Sequence, residues 1–223
     1  VTKIDPTAQI DPSAKLGEKV VVGPYAVIGK DVQIGNNTEI YAHAILGSGT
    51  IIGNDCEVHY GAVIGDKPQD ISYKDENTNV IIGDRCRIRE YVTIHKATGP
   101  GNKTIIGNDC FLMSFVHIAH NCKIGNKVVI VNLTQIAGHV EVEDFATIGG
   151  MVAVPQFLRI GKLSMIAAYA RLFQDIPPFM LAEGSPAEVH AINAVGLKRN
   201  ESIANETALK IKKAYKILYR QNL

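Results

Sequence analysis

The chain has 223 residues, 46% apolar and 20% charged, with 23 basic side chains against 22 acidic ones for a formal charge of +1. That composition describes a packed globular protein, not a disordered one, and gives no reason to expect nucleic acid as a partner. No run approaches the roughly 18 apolar residues of a membrane helix, so no membrane insertion is expected.

The N-terminus, Val1-Thr2-Lys3-Ile4-Asp5, lacks a charged-then-apolar leader, which points to the cytoplasm. Its missing initiator Met points to processing or to a shortened sequence. From Ile4, steps of six land on Ile, Leu or Val at 25 of the 28 positions up to Ile166; the exceptions are Asp70, Glu76 and Pro100. Neither a helix nor a flat strand has a period of six, and a fixed repeat of this kind is the mark of a solenoid. The residue after the aliphatic is often Gly, as at Gly17, Gly35, Gly53 and Gly107, which suits a tight corner or a positive φ. The fourth residue after it is small or β-branched, as at Ala8, Ala26, Thr38 and Ala62. One large and one small inward residue per hexad fill a thin triangular prism. Three hexads make a coil of 18 residues, and coils about 4.8 Å apart stack into a parallel β-helix of roughly nine turns.

Cys56, Cys86, Cys110 and Cys122 all fall in the small inward column and read as core fillers. Counting by 18 places Cys86 with Cys122, and Cys56 with Cys110, on common faces two and three coils apart. That is beyond the roughly 7 Å reach of a disulfide. The column breaks at 66–80 and 96–104, two polar stretches that are candidate site-forming loops.

The hexads occupy 1–172, and 173–223 is expected to be a small C-terminal helical domain. Pro177-Pro178 ends regular structure. Ser185-Pro186-Ala187-Glu188 has the N-cap, N1 Pro and N3 Glu of a helix start. A further helix is predicted over 201–220, with Ala204, Ala208, Ile211, Tyr215 and Leu218 on one face. Lys210, Lys212, Lys213, Lys216 and Arg220 cover the rest, which suits either solvent or an acidic protein partner.

His117-Ile118-Ala119-His120 is the densest histidine cluster. Ile118 points inward, so His117 and His120 are expected as exposed imidazoles outside the prism wall. Steps of 18 from His120 reach Gly138 and Gln156, stacking the three on consecutive coils, with His139 beside Gly138. A neutral imidazole, with an intrinsic pKa near 6.5, can take a proton from an attacking hydroxyl. A backbone N–H at a glycine can hold the oxyanion. The inward cysteines leave no evident nucleophile, which favours direct attack. The same histidines could bind zinc, as in hydrases of this fold.

At Gln69-Asp70, Ile82-Gly83-Asp84, Ile88-Arg89-Glu90, Thr93-Ile94-His95, His117-Ile118-Ala119-His120, Ala137-Gly138-His139-Val140 and Gly196-Leu197-Lys198-Arg199, the chain resembles the acyl-carrier-protein–UDP-N-acetylglucosamine O-acyltransferase family, which opens lipid A synthesis. The resemblance runs over essentially the whole chain. It implies a left-handed β-helix, a homotrimer with sites between subunits, and transfer of a 3-hydroxyacyl group to the sugar 3-hydroxyl. No metal or cofactor is implied beyond the phosphopantetheine thioester of the donor, acyl carrier protein. By position it makes His120 the base and Gly138 the oxyanion donor. Asp70, His117, His139 and Gln156 contact sugar, phosphates or acyl chain, and Asn193 and Arg199 hold the nucleotide end of the UDP-sugar. Ala168 takes the place that closes the acyl groove, which implies a medium-length chain. The implied carrier-protein surface is basic and C-terminal.

Asn121, Ser72, Pro155, Val195 and Asn200 depart from the family's usual Asp, Lys, His, Glu and Arg, and Tyr219-Arg220-Gln221-Asn222-Leu223 ends the chain earlier than is usual there. The departures keep open a 3-amino analogue of the acceptor. An acetyl-CoA-dependent N-acetyltransferase, a zinc hydrase and a non-catalytic platform are the rival readings.

Overall fold

A computed structural model of the chain describes residues 1–200 and 203–220. Short parallel strands, from β1 (Lys3–Ile4) to β25 (Met165–Ile166), wind into a parallel β-helix with three faces. Face one takes every third strand from β1 up to β25, face two every third from β2 (Gln9–Ile10) up to β23 (Ala153–Val154), and face three every third from β3 (Lys15–Leu16) up to β24 (Arg159–Ile160). Each strand pairs in register with its counterpart one coil away, as Ile118 does with Ile136. The inward aliphatics are buried from Val22 to Ile166, and the fully buried side chains are dominated by Ile and Leu of the hexad column.

The corners work differently from the expectation for glycine. The left-handed residue is the third after each aliphatic, at Lys19, Tyr25, Asp31 and their counterparts up to Tyr169. Gly17, Gly35 and Gly107, one after the aliphatic, do not have positive φ. They are glycine because coils meet there: a Cβ on Gly35 would lie 2.5 Å from the carbonyl of Gly53, and one on Gly107 2.6 Å from the Gly125 oxygen.

The two polar breaks lengthen single coils. Glu57 pairs with Arg87 and Arg87 with Phe111, so these coils hold 30 and 24 residues instead of 18. Both additions are multiples of six, which keeps the hexad phase while turning the chain onto a different face. The cysteine assignment is corrected accordingly: Cys56, Cys86 and Cys110 stack on three successive coils, and Cys122 lies before a strand of face three. All four are free thiols, and each Sγ donates to a carbonyl of the next coil, at Gly83, Gly107, Gly125 and Ala137, over 3.0 to 3.1 Å.

Beyond the hexads the helix start predicted at Ser185 is a hairpin turn. β26 (Met180–Gly184) and β27 (Ala187–Ile192) are antiparallel and extend face one past β25, with a cis Ser185–Pro186 bond between them. The local capping signal loses to tertiary packing. Met180, Ala182 and Ala187 bury themselves against the last coil, and the hairpin covers an otherwise open strand edge. α1 (Ala194–Arg199) is a short turn of helix, and α2 (Asn205–Arg220) begins after the predicted 201, with 201 and 202 outside the described residues. Its packing is narrower than the expected stripe. Tyr215 is 9% exposed and donates from Oη to the His190 carbonyl, whereas Leu218 is 72% exposed and Ala204 precedes the helix, exposed. Of the terminal stretch 219–223, residues 221–223 lie outside the described residues. Among the described residues no helix is long and apolar enough to cross a membrane.

Candidate active site

The corner between faces two and three carries His120, Gly138 and Gln156 on consecutive coils; His139 N–H donates to the His120 carbonyl and Phe157 N–H to that of Gly138. His120 stands outside the prism, yet it is only 6% exposed, which corrects the expectation of an open imidazole. The cover comes from the 66–80 loop, which places an Asp70 oxygen 3.8 Å from His120 Nε2, and from His139, edge-on at 5.2 Å. The ring also rests on Gly138: a Cβ there would sit 2.6 Å from Cε1 and Nε2. On its far side Nδ1 lies 2.9 Å from Asn121 Oδ1.

Asp70 is held ready. Its Oδ1 accepts from the Ser72 N–H and hydroxyl, both at 2.8 Å, and these bonds hold its pKa below the usual carboxylate range. His117, on face two in β17 (His117–Ile118), takes a 2.7 Å hydrogen bond at Nδ1 with Thr93 Oγ1. Burial, with His95 and His120 nearby, pushes its pKa down to about 4, so it is neutral at physiological pH. His95 meets it edge-on at 4.8 Å and is itself buried. His139 is stacked on Phe157 at 4.8 Å, and burial lowers its pKa also.

A groove of about 400 Å³ opens beside these groups, lined by His117, His120, Gly138 and Gln156 and floored by Ala119, Ala137 and Ala153. The Gly138 N–H makes no hydrogen bond to another described residue. Three further lining residues, Gln69, Gln135 and Arg171, were missed as site residues. The signal for two of them was available: steps of 18 from His117 give Gln135, Ala153 and Arg171, the outward column of face two. The Arg171 guanidinium carbon lies over the Phe173 ring, 4.3 Å from its centroid.

The remaining expected site residues lie elsewhere on the chain. Asn193 and Arg199 line a second groove of about 1030 Å³ against face one, with Lys127, Phe145, Thr147 and Met165. Asn193 caps α1, accepting from Gly196 N–H and donating to the Leu163 carbonyl, both at 2.9 Å. Lys127 and Lys162 sit over the ring of Phe145, and Lys127 and Arg199 give this groove its cationic lining. Ala168 is exposed at the corner between faces one and two and does not line the His120 groove.

Comparison with known proteins bears on this arrangement. Residues 175–223 match a family described as Udp N-acetylglucosamine O-acyltransferase, Domain 2, and residues 31–66 and 103–138 match the bacterial transferase hexapeptide. An acyl-[acyl-carrier-protein]–UDP-N-acetylglucosamine O-acyltransferase from Thermodesulfovibrio yellowstonii is 49% identical over 224 residues, covering 100% of this chain and 86% of that protein. The namesake from Gloeothece citriformis is 45% identical over 160 residues, 70% of this chain but only 56% of its own length. Among solved structures, the UDP-N-acetylglucosamine acyltransferase of Campylobacter jejuni superposes with a TM-score of 0.94 at 42% identity, covering 99% of this chain and 86% of that one. The Arabidopsis enzyme does so at 0.85 and 32%, covering 98% and 85%. With a whole-chain relative at this identity and the same coil stack, the protein belongs to the UDP-N-acetylglucosamine O-acyltransferase family.

Proposed function

We propose that the chain moves a 3-hydroxyacyl group from acyl carrier protein to the 3-hydroxyl of UDP-N-acetylglucosamine, with His120 as general base and no covalent intermediate. The observation that carries this reading is a glycine, Gly138, packed so closely on a buried imidazole that a Cβ would meet the ring at 2.6 Å, with its N–H unclaimed by any described residue. The sugar hydroxyl donates to Nε2 of His120 and attacks the thioester carbon. The carbonyl oxygen takes the electron pair and is held by the Gly138 N–H, a fixed donor in a dry corner. Collapse of the tetrahedral adduct expels the carrier thiolate, which takes the proton back from the imidazolium. Asp70, ionised and close to Nε2, stabilises that cation while it exists. His117 and His139, kept neutral, serve as hydrogen-bonding groups for the sugar and acyl chain, and Gln156 borders the same groove. His120→Ala is expected to lower kcat by about 10²–10⁴, the usual contribution of a general base; steady-state assay with 3-hydroxyacyl carrier protein and UDP-N-acetylglucosamine checks it. Retention of activity within tenfold removes the mechanism.

The two grooves support a site shared between copies of the chain. Tyr91, Phe115, Leu133, Met151 and Tyr169 stand one above another at the corner between faces one and two, each 43% to 73% exposed, with Tyr25 further along the same corner beyond His43 and Gly61. That is a long apolar stripe for a free surface. The His120 groove lies on one flank of the stripe and the Arg199 groove on the other. A rotation axis along the corner brings face two of one copy onto face one of the next, so that Asn193 and Arg199 of the next copy reach the nucleotide end. We read the assembly as a homotrimer. Sedimentation of the wild type should give three copies, and Leu133→Glu with Met151→Glu should give monomers without activity. The exposed lysines of α2, Lys210, Lys212, Lys213 and Lys216, are the surface offered to an acidic carrier protein, and the cytoplasm is where both substrates are met. Ala168 sits at the same corner as the stripe, where an acyl-length role depends on the neighbouring copy closing over it.

A further inference from the structure

His120 carries an amide, not a carboxylate, on its Nδ1 side. An amide can present either a hydrogen-bond acceptor or a donor to an imidazole, and the two choices give opposite tautomers. A donor toward Nδ1 would leave the proton on Nε2 and disable the base. The 96–104 loop removes that ambiguity. Thr98 N–H, which can only donate, reaches Asn121 Oδ1 at 2.9 Å, and the Thr98 hydroxyl reaches the same oxygen at 3.0 Å. The Thr98 carbonyl, which can only accept, takes Asn121 Nδ2 at 3.0 Å. Backbone atoms on both sides therefore fix the amide with its oxygen toward Nδ1. Asn121 itself stands at φ +61, a left-handed conformation that Asn tolerates well, and its N–H is tied to Thr104 Oγ1 at 2.9 Å.

We propose that the 96–104 loop is a tautomer lock: Thr98 clamps the Asn121 amide so that its oxygen holds the proton of His120 on Nδ1 and leaves Nε2 with its lone pair toward the groove. Asn121 and Thr98 are positioning residues, and their role rests on the general-base reading of His120. The lock also divides labour between the two loops. The 96–104 loop sets which nitrogen is basic, and the 66–80 loop brings Asp70, the carboxylate that among the described residues pairs with the ring, to the opposite nitrogen. Besides these, the ring faces His139 edge-on, and His95 and His117 are near enough to sense its charge. An orienting group need not be charged when its direction is imposed by main chain.

The test reads the tautomer directly, by nitrogen-15 NMR of the histidine rings in the full-length protein, with His120 assigned by the His120→Gln variant. The expected spectrum has a pyrrole-type Nδ1 and a pyridine-type Nε2. Asn121→Ala should mix the two tautomers and lower kcat about 10²-fold with KM little changed, since a catalytic His held in the wrong tautomer loses up to about 10⁴. Asn121→Asp, which keeps an acceptor and tolerates the left-handed backbone, should restore the Nδ1–H tautomer and return kcat to within about tenfold of wild type. A wild-type ring protonated on Nε2, or an Asn121→Ala enzyme with unchanged kcat, overturns the lock. If the tautomer is wrong while His120→Ala is inactive, the lock alone fails. If His120→Ala is active, the base reading fails first.

Discussion

The corner between faces three and one and the corner that holds His120 use the same slot of the hexad for opposite ends. In the first, the second residue after the aliphatic is Asn36, Asn54, Asp84, Asn108, Asn126 and Asp144, and each side-chain oxygen accepts the N–H of its counterpart one coil earlier, over 2.7 to 2.8 Å. The ladder satisfies the corner from within. In the second, the slot holds His120, Gly138 and Gln156, and no such ladder forms: among the described residues Gly138 N–H receives no side chain from the coil above. A solenoid thus offers identical, regularly spaced positions; the ladder fills them at one corner, and at the His120 corner the donors are left to other groups. Loops lie over this corner, with Asp70 beside Nε2 of the ring and Thr98 holding Asn121 on its Nδ1 side.

Filling the gap should have the largest effect. Gly138→Ala adds a Cβ that meets the His120 ring at 2.6 Å, and the ring must leave its place. Displacing a base by about 1 Å can cost roughly 10²-fold, so kcat should fall by at least that much. The fold should survive, because Gly138 does not have positive φ. Single-turnover assay together with circular dichroism checks both halves; full activity would show that the close approach of ring and amide is incidental.

Acid should separate the two corners next. The Asn ladder contains no imidazole, whereas the His120 region holds His117 with a folded pKa of about 4. The unfolded value is near 6.5, so between these limits the unfolded chain binds more protons than the folded one. Stability from this group is complete above about pH 6.5 and is lost as pH falls toward 4. Urea midpoints measured across that window should drop with acidity, and His117→Gln should flatten the slope.

Reading the sequence goes furthest where position alone decides environment. The aliphatic column, the inward thiols and the stacking of His120 on Gly138 are legible, because between Ile106 and Ile166 the strands pair at steps of 18 residues. Across the lengthened coils the same count misplaces Cys86 and Cys122, since additions of twelve and six residues hide within the hexad phase. Burial of His120 was not legible either: it comes from a loop some fifty residues upstream, and no local pattern records that cover. Ser185-Pro186-Ala187-Glu188 failed for a related reason. Its capping signature is local, and an open strand edge needing a hairpin outweighed it.

The smallest predicted effect tests whether the ladder is as purely structural as the contrast implies. Asn126→Ala removes the 2.8 Å bond to Asn108 N–H and the side chain's own link to Asp144. Both Asn108 and Asn126 are exposed, so water can replace the missing acceptor. The loss should be no more than about 1 kcal/mol, the net value of an ordinary hydrogen bond. Since the ladder touches neither groove wall at His120 nor the loops above it, kcat should stay at the wild-type value while the urea midpoint shifts slightly down. A change in rate from this corner would mean that the coils transmit strain across the prism, and the division into a structural and a chemical corner would have to be given up.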